Sequence, residues 1–162
     1  MSADPHDTLG LLTEFYGEKL ASLVAHQAHA RQVHQYDANN TYQYVINRED
    51  VQLSWLATAI ADAGGAAPEA AAASPTASGQ DEQTLFDDDI RSAQAFLDRW
   101  RPRVDAMTHA RHRAMLRVIL GETREQQRFF EQALAGRTDL LGRRAKAAGP
   151  ARGTVLPARW LE

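Results

Sequence analysis

Glu49 and Gln52 stand three residues apart in YQYVINREDVQLSWLATAIADAGG, the stretch from Tyr42 to Gly65. A matching arrangement occurs in LGETREQQRFFEQAL, where Glu122 is followed by Glu125 at three residues and Gln126 at four. On a helix these spacings place side chains on one face. On both helices that face is otherwise apolar: Tyr42, Val45, Leu56, Ala59 and Ala63 accompany the first pair, and Met115, Ile119, Phe129 and Ala133 the second. Carboxylates and amides in such a stripe can hold a metal ion or close a satisfied polar network; if the helix phase differs, they face water. Buried without partners they would cost several kcal/mol, so the residues alone leave these three arrangements open.

Other groups with chemical potential carry weaker signals. His26 and His29 are three apart, as are His109 and His112, and either pair could offer imidazoles to a metal. His109 and His112 lie among Arg111 and Arg113 in HARHRAML, a basic turn unfavourable to a cation, and both pairs read as polar positions on helix surfaces. The three acids of FDDDIR, Asp87 to Asp89, read as complements to a helix dipole at its first turn. Glu14 and Glu18 lie beside the apolar stripe of their helix; Gln94 and Asp98 are the nearest inward options on the third helix. The absence of cysteine excludes disulfides, thiolate ligands and thiol catalysis. No nucleophile constellation, phosphate loop or dinucleotide fingerprint occurs.

The elements that position these groups follow from hydrophobic spacing. Leu9, Leu12, Tyr16, Leu20, Leu23, Gln27 and Ala30 predict a first helix from a cap at Asp7 or Thr8 to about His34. Asp37 to Asn40 read as a turn and cap cluster before a second helix that Gly64 and Gly65 stop. The first two helices then form an antiparallel hairpin. Residues 66–80, AAPEAAAASPTASGQ, hold no large apolar side chain and read as a mobile linker. At about 3.3 Å per residue such a linker can reach roughly 50 Å, enough to travel the length of a bundle. Phe86, Ile90, Ala93, Leu97, Trp100 and Val104 mark a third helix starting near Asp81 to Thr84, and Pro102 predicts a break at Arg101, with a kink in one long helix as the other reading. His112, Met115, Ile119, Glu122, Gln126, Phe129 and Ala133 mark the fourth, ending at Gly136. Residues 1–136 are thus one bundle, and residues 137–162 are a basic, mostly non-helical extension rather than a separate domain.

In order, length and position of the glutamates, EDVQLSWLATAIADAGG and LGETREQQRFFEQAL resemble the second and fourth helices of the ferritin-like superfamily, especially its rubrerythrin-like bundles. The resemblance covers residues 8 to 136 or so and implies an all-α, ferritin-like four-helix bundle with a long crossover between helices two and three. It further implies a di-metal centre, iron as cofactor, and iron or peroxide chemistry. Glu49 and Glu122 would then be bridging ligands and Glu18 and Glu125 terminal ones, with Gln52, Gln126 and His26 as a second tier. Where the family carries histidine, this chain has Gln52 on helix two and Glu125 or Gln126 on helix four, a weaker ligand set. The alternative expectation is a metal-free bundle that acts as a binding or assembly module.

At 162 residues, 44% apolar and 24% charged, the chain has the composition of an ordinary globular domain. Its net charge of −3 exerts no global pull toward nucleic acid or anionic membrane. No run approaches the length of a membrane span and the first twenty residues lack a leader pattern, so a cytoplasmic location is expected. The segment 137–162 carries six basic residues against two acidic ones, suiting a contact with the acidic remainder of the chain or with a protein partner. A homodimer is expected, with Trp55 and Trp160 as candidate anchors.

Overall fold

A computed structural model describes residues 5–69, 78–138, 140 and 141 and contains four helices. They are α1 (Pro5–Ala30), α2 (Tyr36–Asp62), α3 (Glu82–Asp105) and α4 (Ala110–Leu134), and no strand occurs among the described residues. The chain is an all-α four-helix bundle. The helix ends obey local rules. Proline opens α1 at the position where a missing N–H is harmless, which moves the start ahead of the expected cap at Asp7 or Thr8. The Gln35 side chain accepts from the Ala38 N–H at 2.6 Å and caps α2. Asp37 to Asn40 therefore lie inside α2 rather than in a turn, and Asn39 instead donates back to the Ala30 carbonyl at 2.9 Å, closing the end of α1. Gly64 takes φ +85° just after α2, the left-handed conformation that the Gly64-Gly65 stop requires.

Pro102 does not break the chain at Arg101; it sits in the last turns of α3, which runs on to Asp105. Trp100 and Val104, one turn apart, are both fully buried and hold the helix on either side of it. The turn to α4 is residues 106–109, with the His109 side chain accepting from the His112 N–H.

Side-chain contacts fix the helix directions. Gly65, at the end of α2, lies against Leu9 near the start of α1, so these two helices are antiparallel. Glu82, at the start of α3, accepts from the His34 and Gln35 N–H groups in the α1–α2 turn, and Gln32 accepts from Gly79 and Gln80. Residues 65 and 79 thus sit at opposite ends of the bundle. Arg103 on α3 reaches Glu14 on α1, and Arg48 on α2 reaches Glu122 on α4, completing a square in which neighbouring helices run antiparallel. Residues 70–77 of the expected linker, and the extension beyond residue 141 with Trp160, lie outside the described residues.

The core faces are close to those expected, with shifts that decide the chemistry. On α4 the buried set is Leu116, Ile119, Leu120, Thr123, Gln126, Gln127 and Phe130, so Phe130 rather than Phe129 enters the core. That rotation leaves Glu122 at the margin, its side chain 24% exposed. On α1, Leu12, Phe15, Lys19, Leu23, His26 and Ala30 are buried while Gln27 is exposed.

Candidate functional site

The polar centre is built around Glu49, which helix phase points into the bundle and which is wholly buried. Its carboxylate has two partners from α1, Lys19 Nζ at 3.2 Å from Oε1 and His26 Nδ1 at 2.8 Å from Oε2. Lys19 is 1% exposed, an ammonium enclosed in the core, and the Phe96 ring lies 5.4 Å from it. An ion pair this deep persists only because each charge has its counter-charge at contact distance.

Asp89, on α3, is the second node. It accepts a very short hydrogen bond from the Tyr42 hydroxyl, a bond from His29 Nδ1 at 2.9 Å, and faces His26 Nε2 at 3.5 Å. His26 therefore links the two carboxylates through its two ring nitrogens. Burial first, then the charge of Asp89, pushes the Tyr42 phenol well above its ordinary range, so it acts here as a donor. These contacts correct two expectations: His26 and His29 are buried, not surface positions, and Asp89 is a core acceptor, while Asp87 and Asp88 pair with Arg91 outside.

Glu122 forms a third, separate node. Arg48 donates to it through Nε at 3.3 Å and Nη2 at 2.5 Å, and Gln52 Nε2 donates at 2.5 Å. Gln52 and Gln126 are both buried, and Gln52 Oε1 and Gln126 Nε2 have no hydrogen-bond partner among the described residues.

The remaining expected ligands lie elsewhere. Glu18 accepts from the Trp100 indole at 2.8 Å and pairs with Arg99 at 3.0 Å; Glu14 is held by Arg103. Glu125 is exposed and lines a surface groove with Tyr44, Phe129 and Leu141. Gln94 bonds Asp98 and Gln127 at the α3–α4 surface. Trp55 is half-buried, with the Arg48 guanidinium 5.7 Å from its ring. Of the two residues that matter most to the centre, Asp89 was expected only as a complement to a helix dipole and Lys19 was not expected at all. The only signal for Lys19 is its place four residues after Phe15 and four before Leu23.

The network is tuned by pH from both sides. Burial alone would lower the His26 pKa, but the charges of Glu49 and Asp89 outweigh it and hold the imidazole above its ordinary 6.5. Burial alone would raise Glu49, and the charges of His26 and Lys19 instead hold it below its ordinary 4.5. A raised imidazole contributes stability fully below the unfolded value near 6.5, and loses it as pH rises through the higher folded value. A lowered carboxyl contributes above 4.5 and loses its contribution as pH falls through the lower folded value. The contributions coincide between about pH 4.5 and 6.5. Thermal melts of wild type and His26→Asn should therefore differ most in that window, with the wild-type advantage shrinking above pH 6.5; an advantage that grows with pH would refute the charged imidazole.

As a metal centre the arrangement fits poorly. Glu49 and Glu122 each already hold a fixed cation, and a metal at Glu49 would stand beside the Lys19 ammonium, which repels it. Among the described residues no three His, Asp or Glu side chains form a group that could hold a metal ion. No helix of the described residues is long and apolar enough to cross a membrane. Comparison with protein-family models, with curated proteins and with solved structures finds no match for this chain.

Proposed function

We propose that this chain is a ferritin-like bundle whose core ion pairs take the place of a metal centre, and that it works as a binding or assembly module. The observation that carries this reading is Lys19. A buried ammonium at 3.2 Å from Glu49 supplies from the protein the positive charge that iron supplies in the family the sequence resembles. Arg48 does the same for Glu122. Support for the ferritin-like order comes from the termini of the linker: the end of α2 and the start of α3 lie at opposite ends of the bundle, as a crossover between helices two and three requires. Support for a binding role comes from two clefts on the seam between α2 and α4, one lined by Trp55, Ala59, Arg111, His112 and Met115, the other by Tyr44, Phe129, Leu140 and Leu141. A homodimer and a protein partner for residues 137–162 belong to the same proposal.

The test is thermodynamic. A ligand that binds only the folded state raises the melting temperature by mass action, about 2.7 kcal/mol at a hundred times its Kd. Melts in EDTA and in excess Fe(II), Mn(II) or Zn(II) should coincide within about 1 °C, since about 1 kcal/mol already moves a chain of this size by roughly 2–4 °C. A rise of several degrees with one metal, abolished by Glu49→Ala in a variant that still folds, would return the chain to the metal-binding reading.

A further inference from the structure

Near the α3–α4 turn, α2 and α4 part to leave a slot of about 320 Å³. Its walls are Trp55, Thr58 and Ala59 from α2 and Arg111, His112 and Met115 from α4. Indole, methyl and thioether surfaces make it chiefly apolar, a lining suited to an aromatic body. Two nitrogen groups interrupt that lining. Arg111 is exposed and forms no ion pair with any described residue. His112 is half-buried, its ring stacked on that of His109 at 3.9 Å between centroids, and its Nδ1 is buried with no hydrogen-bond partner among the described residues.

The state of His112 follows from its surroundings. Burial first, then the neighbouring His109 and Arg111, lowers its pKa from 6.5 against the opposing charge of Asp62. At neutral pH the ring is uncharged. A buried N–H without an acceptor costs more than an unused lone pair, so the single proton resides on Nε2 and Nδ1 stays bare. His112 then carries its donor at Nε2 and a bare lone pair at the buried Nδ1, and Arg111 offers a fork of donors with a positive charge. Among the described residues no carboxylate lines the slot.

We propose that this slot binds a small aryl carboxylate, the ring lying between Trp55 and Met115 and the carboxylate taken by Arg111 with a hydrogen bond from His112. The apolar walls select the ring, and the two donors select an acceptor carrying negative charge. The proposal does not depend on whether the core holds metal, so binding is measured in protein treated with EDTA and dialysed.

The probe is phenylacetate, titrated by calorimetry at pH 7.5, with 2-phenylethanol as an uncharged analogue of the same shape. Saturable binding in the low millimolar range is expected for a ligand of about ten non-hydrogen atoms, with 2-phenylethanol at least about ten-fold weaker. Arg111→Ala, an exposed position whose change should leave the melting temperature as it is, should weaken phenylacetate about ten-fold and leave 2-phenylethanol unaffected. Met115→Trp, which fills the slot, should abolish binding of both, with circular dichroism to confirm that the helices are retained. Absence of saturable phenylacetate binding, equal affinity for the two probes, or an Arg111→Ala variant that binds phenylacetate as wild type does would each overturn the proposal.

Discussion

Replacing Lys19 by methionine should destabilise the protein by about 3 kcal/mol, or roughly 6–12 °C in melting temperature for a chain of this length. Methionine nearly preserves the volume, so the loss is one of charge. Glu49, wholly buried, would keep only His26 as a cationic partner. The loss measures the penalty of stranding a carboxylate, not the net worth of the pair, and a second substitution separates the two. With Glu49→Leu added, the buried charge and its counter-charge leave together, and the double variant should recover much of the loss. Urea unfolding of wild type, both single variants and the double gives the coupling directly. Additive losses would show that the ammonium and the carboxylate do not act on one another and would remove the basis of the closed network.

Asp89→Ala should have a comparable effect, about 3–5 kcal/mol, for a different reason. One small side chain satisfies the Tyr42 hydroxyl and His29 and faces His26, so its removal leaves donors from α1 and α2 buried without an acceptor. Because Asp89 is the point at which α3 is tied to the α1–α2 hairpin inside the core, the variant should also speed hydrogen exchange of amides on the buried side of α3 near Leu85 and Phe86. Tyr42→Phe removes one of those donors and leaves the carboxylate with histidine partners, so a loss of only about 1–2 kcal/mol is expected. The order Asp89→Ala well above Tyr42→Phe is the informative result. A loss from Asp89→Ala of less than 1 kcal/mol would mean that water or another group replaces the carboxylate.

The helices were legible because their signals are local. Gly64 and Gly65, the helix start near Asp81 to Thr84 and the three-four spacing of large apolar residues are each read within one or two turns of chain. Pro102 misled because a proline in the last turns of a helix loses only what its burial neighbours Trp100 and Val104 can outweigh. The core phase of α4 was ambiguous at Phe129-Phe130, two adjacent aromatics of which only packing selects one. That one-residue rotation changes the chemistry, since it carries Glu122 to the edge of the bundle and leaves Gln126 buried.

The site was less legible because its pairings span long stretches of chain. Lys19 and Glu49 are 30 residues apart and His29 and Asp89 are 60 apart, and no local pattern links them. In FDDDIR three identical residues compete for one inward position, and only the phase of α3 chooses Asp89. Glu49 itself stood out, because a carboxylate in an apolar stripe needs a partner. The residue type could not say whether that partner was a metal or a lysine. Apolar replacement of Glu49 and Gln52 together would strand Lys19 and His26, so a loss of stability is expected unless Lys19 is replaced as well.

Lys19 supplies the charge that complements Glu49 in the core. Elemental analysis of protein loaded anaerobically with Fe(II) and desalted tests it most directly, with Lys19→Met loaded and desalted in parallel. Far less than one iron per wild-type chain, unchanged by Glu49→Ala, is the expected result. One or two irons per chain retained by wild type and lost in Glu49→Ala would contradict it.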